Sequence, residues 1–190
     1  MLEEVKEALS QFSFLHPNDI VQLASISKFK KIKKDDYVVS VGDLNYHAII
    51  VLSGLLSHHI IDEEGNEKTL LFVPERMFSG SMQTIMNDKP ADENIIALED
   101  SLLLMIDTKT LDHLATNNIR LIKMLNKGYK KIIIQAAERI KFLAVYTPEE
   151  RYSYFNKIFP GLDKRVKKKQ IASYLGVTPS SFSRIKARNK

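Results

Sequence analysis

QIASYLGVTPSSFSRIK, residues 170–186, predicts two short helices that follow one another almost without a gap. Gly176 suits the left-handed backbone conformation that commonly ends a helix. Thr178 is a favourable N-cap, and Pro179 fits the first turn of a second helix. Neither helix is long enough to be stable alone in water, so the pattern predicts a pair that packs together as a helix-turn-helix.

The two faces of this helix pair differ in their chemistry. Ile171, Leu175, Phe182 and Ile185 have the spacing of inward positions, and they predict a small shared core. The outward side of the second helix carries short polar side chains and arginine, which suit phosphate oxygens and base edges. Arg184 is the candidate for a bidentate guanine contact. The candidate DNA-binding residues are Lys168, Lys169, Thr178, Ser180, Ser181, Ser183, Arg184 and Arg188.

The positive charge of the chain is concentrated in the same region. The 190 residues have a net charge of +5. From Tyr146 onward, 11 Lys/Arg oppose 3 Asp/Glu, so this segment carries +8 and the remainder carries −3. A basic segment on a mildly acidic body indicates a polyanionic partner, here double-stranded DNA. A solvated lysine-rich surface is the alternative, and charge alone does not separate the two.

The composition argues against several other classes of protein. There is no cysteine, which excludes disulfides, thiolate metal sites and cysteine-bound iron–sulfur clusters. His58 and His59 are adjacent on a predicted strand and face opposite sides, so we expect surface or hydrogen-bonded histidines and no metal site. The sequence shows no phosphate loop, paired-histidine motif or nucleophile elbow, so we expect neither an enzyme nor a bound cofactor. Without a signal-peptide pattern or a long apolar run, we expect a cytoplasmic protein that does not contact a membrane.

The N-terminal part of the chain predicts an α+β arrangement. Apolar spacing predicts helices up to about residue 28, interrupted at 16–19. From about Phe29 to Ile106, short apolar and β-branched runs alternate with turn residues. This pattern predicts an antiparallel β-roll of the jelly-roll kind, with a hairpin turn at 62–67.

A long helical stretch follows, from about Asp107 to Val145. Apolar residues lie on more than one side of it, so this helix needs two surfaces to bury against. One surface is the β-roll, and the other is most simply the same helix of a second subunit. Packing of both faces inside one chain is the alternative. The predicted contacts of the dimerisation helix are Ile122, Leu125, Tyr129, Ile132 and Ala136.

Three segments are therefore expected along the chain. Residues 1–117 predict the β-roll with its N-terminal helices, and residues 118–145 predict the dimerisation helix. Residues 146–190 predict an all-α helix-turn-helix domain, which opens at Thr147 because a capping box and proline follow there.

These elements, in this order, resemble the Crp/Fnr family of bacterial transcription regulators. The resemblance covers nearly the whole chain and is most specific in TPEERY, 147–152, and IASYLGVTPSSFSRI, 171–185. KKDDYVVSVGD, 33–43, and IIVLSGLL, 49–56, are similar to the family's cyclic-nucleotide-binding-type roll. The family implies a homodimer that couples a small-molecule pocket in the roll to two DNA-reading helices, roughly 34 Å apart. The resemblance also suggests RNA polymerase as a partner.

The effector region departs from the family pattern. Members that bind cyclic nucleotides carry Gly-Glu and, later in the same loop, Arg followed by Ser or Thr. The matching effector-pocket positions here are Gly80, Ser81, Ala91 and Asp92, with Met82 beside them. Ala91 offers no hydrogen-bond donor and Asp92 adds negative charge, so a degenerate pocket that does not bind cAMP or cGMP tightly is expected. The roll then binds an unknown small-molecule effector or none.

Two functions remain open from the sequence. The first is a homodimeric, DNA-binding transcription regulator of the Crp/Fnr type. The alternative is a ligand-sensing or protein-docking module whose helix-turn-helix is only structural. Pro179 and Ser180 stand where well-known family members carry an arginine and a glutamate, so the resemblance does not provide an operator sequence.

Overall fold

The computed structural model describes residues 12–188 and shows a mixed α+β fold. Two four-stranded antiparallel sheets form a β-roll, and a long helix and further helices follow it. The predicted fold class is confirmed. The described chain divides into two compact units, 12–59 with 72–129 and 60–71 with 130–188. No helix within the described range is long and apolar enough to cross a bilayer.

The elements of the roll come first in the chain. They are α1 (Pro17–Ser25), β1 (Ser27–Ile32), β2 (Tyr37–Val39), β3 (His47–Ser53), β4 (Leu56–Ile61), β5 (Glu67–Val73), β6 (Phe78–Ser79), α2 (Met82–Asn87), β7 (Asn94–Ala97) and β8 (Ser101–Asp107). The helices after the roll are α3 (Thr108–Ala115), α4 (Ile119–Val145), α5 (Pro148–Ile158), α6 (Lys168–Leu175) and α7 (Pro179–Arg188), with a short 3-10 turn at Leu162–Lys164.

The strand order explains the apolar pattern of the sequence. One sheet has the order β1-β8-β3-β6 and the other has the order β2-β7-β4-β5. Strand β3 lies inside its sheet and pairs with β8, where Ile50 is opposite Leu104. Residues 49–52 of β3 are all buried, which means that both faces of the strand are covered. A continuous apolar run such as 49–52 is the pattern expected for such a strand.

The core of the first unit joins the roll to the helices beside it. Phe12, Leu23, Ile50, Leu104 and Leu121 belong to one buried cluster, which connects α1, both central strands and the start of α4. Burial of apolar area of this kind is the main favourable term in folding.

A buried carboxylate fixes α1 to the start of α4. Asp19 is fully buried and accepts hydrogen bonds from the Arg120 guanidinium, from Asn118 Nδ2 at 2.7 Å and from the His16 backbone N–H at 2.8 Å. The Arg120 hydrogen bonds hold the pKa of Asp19 far below its usual range, although burial alone would raise it. Asp19 is therefore ionised at neutral pH, and its charge is compensated.

The N-terminal boundaries differ from the prediction. Residues 17–19 form the first turn of α1 and do not interrupt it, because proline at the first helical position gives up no intrahelical hydrogen bond. Strand β1 begins at Ser27, not near Phe29. The helical positions predicted before Phe12 lie outside the described residues.

The helical stretch predicted from about Asp107 to Val145 is not one helix, although the predicted dimerisation helix, 118–145, closely matches α4. The stretch is broken between Ala115 and Ile119, so that α3 and α4 are separate helices. The Asn118 side chain accepts a hydrogen bond from the Arg120 N–H at 3.1 Å, as an N-cap does. The hairpin turn predicted at 62–67 is present, with Gly65 at φ 80°.

Candidate nucleic-acid interface

The turn between α6 and α7 has the geometry predicted from the glycine. Gly176 has φ 68°, in the left-handed region, and its N–H donates to the Ser173 carbonyl at 3.0 Å. The Val177 N–H donates to the Ala172 carbonyl at 3.0 Å. A Cβ at position 176 would lie 3.1 Å from Arg151 Nη1, so space as well as backbone conformation favours glycine here.

The inner face of the helix pair forms the predicted core. Ile171, Leu175 and Phe182 are completely buried, and Ile185 is nearly so. The Phe182 ring meets the edge of the Tyr152 ring of α5, with centroids 5.6 Å apart. Three short helices therefore share one apolar core, which compensates for the instability of each helix alone.

The outer face of α7 is available to solvent. We define the reading face as Ser180, Ser181, Ser183, Arg184 and Arg188. Of these residues, Ser181 is half-buried and the other four are exposed. Thr178 is also exposed, and so are Lys168 and Lys169 at the start of α6. The predicted DNA-binding residues thus lie in two adjacent helices, except for Thr178, which precedes the second helix.

Hydroxyl groups order the first turn of α7. The Ser181 N–H donates to Thr178 Oγ1 at 3.2 Å, so Thr178 is the N-cap. The Thr178 hydroxyl also lies 3.0 Å from Ser180 Oγ and 3.0 Å from Ser181 Oγ. Arg184 Nη2 donates to Ser181 Oγ at 3.4 Å. Arg184 is consequently held beside the cap without a carboxylate partner in the described structure.

Two other cations of this region are paired within the protein. Lys186 Nζ lies 2.8 Å from Asp163 Oδ2, and this hydrogen bond raises the pKa of Lys186. Arg188 Nη1 lies 3.5 Å from Glu149 Oε1; the Arg188 side chain is exposed and that of Glu149 is half-buried. Exposed ion pairs are weak, so Arg188 can exchange Glu149 for a phosphate, whereas Lys186 supports the fold.

Two arginines bind the carbonyl end of α6. Arg139 Nη2 donates to the Tyr174 carbonyl at 2.7 Å and lies over the Tyr174 ring, 4.0 Å from its centroid. Arg151 Nη1 donates to the Leu175 carbonyl at 2.9 Å. Cations at a helix C-terminus compensate its partial negative charge. Burial lowers the pKa of Arg139, which nevertheless remains charged because guanidinium is so basic.

The middle of α6 is bound by the hairpin residues of the same unit. Ser173 Oγ accepts a hydrogen bond from the Thr69 N–H at 2.8 Å and donates to the Glu67 carbonyl at 3.4 Å. Sequence reasoning missed this contact, because no local pattern connects residues 104 positions apart. It also missed Arg139, which looks like an ordinary helix residue in the sequence.

The effector region of the roll is organised differently. Ser81 is completely buried and is the N-cap of α2, where it accepts from the Thr84 N–H at 3.3 Å. Gly80 has φ 144°, and Met82 is the half-buried first residue of the helix. Ser81 and Thr84 hydroxyls are 3.2 Å apart. Ser81 and Thr84 therefore provide hydrogen-bond partners for each other.

The second half of this region is also bonded internally. Ala91 is buried, its N–H donates to the Asp43 carbonyl at 2.9 Å, and its carbonyl accepts from the Gly42 N–H at 2.8 Å. Asp92 is exposed and accepts from Gln83 Nε2 at 3.1 Å. Neither residue presents a cationic group or a side-chain donor to an anion.

The histidines of β4 are buried, which corrects the part of the expectation that placed them on the surface. His58 Nε2 lies 2.7 Å from Ser79 Oγ, and its Nδ1 lies 3.0 Å from Glu93 Oε2. His59 is buried as well. Because Ser79 belongs to the opposite sheet, the His58 side chain bridges the two sheets. Within 12–188, no three His, Asp or Glu side chains are grouped as metal ligands would be.

Comparisons with known proteins agree with this architecture. Residues 29–118 match the family described as cyclic nucleotide-binding domain. FixK2 from Bradyrhizobium japonicum is similar in structure, with a TM-score of 0.74, 14% identity and coverage of 86% of this chain and 84% of that one. No curated protein is significantly similar to this chain in sequence.

Two further solved structures are similar. For CLP from Xanthomonas campestris, a c-di-GMP-responsive global regulator, the TM-score is 0.71, identity is 15% and 91% of each chain is covered. For a CRP/FNR family transcriptional regulator from Thermus thermophilus, TTHA1359, the TM-score is 0.67 and identity is 18%, with 85% of this chain and 84% of that one covered. Residues 29–118 are therefore similar to a cyclic nucleotide-binding domain, and the chain shares its fold with solved Crp/Fnr transcription regulators.

Proposed function

We propose that this chain is a homodimeric transcription regulator that binds double-stranded DNA through α7. One observation carries the proposal: α7 buries Phe182 and Ile185 in a shared core and leaves all of the reading face except Ser181 exposed. A helix that is fixed on one side and polar on the other can enter a major groove without unfolding. Short hydroxyl side chains allow the close approach that base edges require.

Each candidate residue has a role that follows from its chemistry. Arg184 contacts guanine O6 and N7, because its fork can donate two parallel hydrogen bonds. Lys168 and Lys169 lie at the start of α6 and contact backbone phosphates. The hydroxyls of Thr178, Ser180, Ser181 and Ser183 donate to phosphates or bases, and Arg188 exchanges its ion pair for a phosphate.

The homodimer is supported by the exposed apolar side chains of α4. Ile122, Ile133, Ile140 and Leu143 are all exposed on this helix. A second copy of the chain would cover such residues and would present two copies of α7 to successive turns of the duplex. In this proposal the chain is not an enzyme, and it acts on transcription together with RNA polymerase.

The effector pocket is proposed to be degenerate. Its support is that Ala91 and Asp92 provide no donor for a cyclic phosphate, while Ser81 caps α2. An anion placed beside the Asp92 carboxylate would be repelled. We therefore expect no heat of binding when cAMP or cGMP is titrated into the protein at micromolar concentrations. Micromolar affinity for either nucleotide would contradict this part of the proposal and leave DNA binding untouched.

Selection of bound duplexes from random DNA tests the central part of the proposal. The expected result is an enriched sequence whose affinity falls steeply with salt, by about 0.9 log units per log unit of salt for each phosphate contacted. Lys168→Ala combined with Lys169→Ala should reduce that slope by about 2 and leave the sequence preference unchanged. If no sequence is enriched and the double variant binds DNA as the wild type does, the ligand-sensing or docking module is favoured instead.

A further inference from the structure

The exposed side of α4 contains a strict heptad pattern. Positions in this pattern alternate in spacing between three and four residues and are either exposed or half-buried. Ile133 and Ile140 are 66% and 69% exposed, although both are large apolar residues in the middle of a helix. We call this row the α4 seam. It consists of Ile119, Ile122, Asn126, Tyr129, Ile133, Ala136, Ile140 and Leu143.

The seam refines the dimer contacts predicted from the sequence. Ile122, Tyr129 and Ala136 of that set lie in it. Leu125 packs against the core of the first unit, and Ile132 is half-buried, so both lie beside the seam. A repeat of seven residues is the pattern of helices that supercoil around a second helix.

The charges of α4 are compatible with a second copy in a parallel arrangement. All charged residues of the helix lie outside the seam: Arg120, Lys123, Lys127, Lys130, Lys131, Glu138, Arg139 and Lys141. In a parallel, in-register pair, a residue that flanks the seam meets the residue of the partner chain that is five positions later in the sequence. Leu125 then faces Lys130 of the partner subunit, and Arg139 faces Ala144 of the partner subunit. No pair of like charges is brought together across the seam.

Asn126 is the only polar amide in this apolar row. Its side chain is exposed and makes no hydrogen bond within residues 12–188. In a parallel, in-register dimer, it meets the partner's Asn126, and the two amides can donate to and accept from each other. Any shifted, antiparallel or three-chain arrangement would bury the amide against isoleucine or leave it imperfectly paired, which is unfavourable.

We propose that Asn126 fixes the register and the two-chain state of this protein by pairing with its own copy across the α4 seam. The inference rests on the proposed homodimer and goes beyond it, because apolar seam residues alone specify neither register nor chain number. Asn126 thus acts on specificity and lowers the affinity of one chain for the other.

Single cysteines test the arrangement directly, since the natural chain has none. Ile119→Cys and Ile140→Cys lie near opposite ends of the seam and should each form a disulfide-linked dimer under mild oxidation. Their Cα atoms reach the bonding range of about 4.4–6.8 Å only in a parallel, in-register pair. Gln135→Cys, on another face of α4, is the control and should remain unlinked. Failure of both seam cysteines, in a protein that sedimentation shows to be dimeric, would overturn the proposed arrangement.

Asn126→Ile tests the specificity role. The expected result is a dissociation constant at least about tenfold lower, together with trimers or larger species. Gln135→Ile adds the same side chain outside the seam and should change neither quantity. If Asn126→Ile remains purely dimeric with an unchanged or higher dissociation constant, the role assigned to Asn126 is wrong while the homodimer stands. A wild-type protein that stays monomeric in sedimentation equilibrium would instead overturn the homodimer itself.

Discussion

The effector region of the roll and the reading face of α7 both contain serine, yet its hydroxyl has a different environment in each. Ser81 is completely buried and its hydroxyl caps a helix within the roll. Ser180 and Ser183 are exposed, and Arg184 has only a long hydrogen bond to Ser181. The Ser81 hydroxyl has a hydrogen-bond partner within the roll, whereas the side chains of Ser180, Ser183 and Arg184 are accessible to a ligand.

This difference affects how much each region can gain from binding a ligand. A polar group that already has good internal partners gains little from a ligand, because binding only exchanges one hydrogen bond for another. An exposed arginine beside hydroxyl donors gains more when it meets an anionic duplex, since counterions are released as well. The reading face of α7 is therefore better suited to bind an anionic ligand than the effector region of the roll.

The largest loss of stability is expected when a side chain is removed from the core shared by α5, α6 and α7. Phe182→Ala removes a completely buried ring and should destabilise the helix pair by about 3–5 kcal/mol, enough to abolish DNA binding. Hydrogen exchange over 168–188 should accelerate while the roll strands stay protected. Phe29→Ala is the control, because that residue is 48% exposed; its effect should be about 1 kcal/mol, and exchange over 168–188 should not change. Unchanged exchange in the Phe182 variant would contradict the shared core.

A smaller loss of stability is expected when the buried carboxylate of Asp19, in the first unit, is replaced. Asp19→Asn should lower the free energy of unfolding by about 2 kcal/mol at pH 7, because Arg120 then donates to a neutral amide oxygen in place of a carboxylate. The pKa of Asp19 is lowered in the folded state, so its contribution is present at neutral pH and fades as the pH falls below the ordinary value of 3.8. Urea denaturation of wild type and variant should therefore converge in acid, with DNA affinity at pH 7 unchanged. A constant difference at every pH would be inconsistent with the ion pair.

Two helix caps provide a matched pair with a still smaller effect. Ser81→Ala and Thr178→Ala each remove one N-cap and should each reduce stability by about 1 kcal/mol. Only Thr178→Ala should also weaken DNA binding, since its helix carries the reading face. Fluorescence anisotropy with a labelled duplex measures the second quantity. Equal losses of DNA affinity in both variants would show that the two regions are not functionally distinct.

The local features of the fold could be predicted from the sequence because they depend on neighbouring residues. The left-handed Gly176, the Thr147 capping box and the inward spacing of Phe182 are all short-range patterns, and the structure confirms each of them. A segment boundary at residue 118 was predicted, but the interruption of the helix was not, because Asn118 acts as a cap through its own side chain, which apolar periodicity does not reveal.

Contacts between distant residues could not be predicted in this way. The hydrogen bond from the Thr69 N–H to Ser173 depends on how a strand edge meets a helix. The seam was only partly identified, because Leu125 has the correct spacing but is directed toward the core of the first unit. The predicted DNA-binding residues are brought together by the structure, and their contacts with DNA remain a prediction.

The most direct test of DNA reading by α7 is the affinity of Arg184→Ala for the selected duplex and for a scrambled duplex. Arg184→Ala should weaken binding to the selected duplex by about 1–3 kcal/mol and change binding to the scrambled one much less. Lys157→Ala removes an equal charge from an exposed position of α5 and should leave the preference between the two duplexes intact. If Arg184→Ala binds the selected duplex as tightly as the wild type, with the same preference, α7 does not read DNA in the manner proposed.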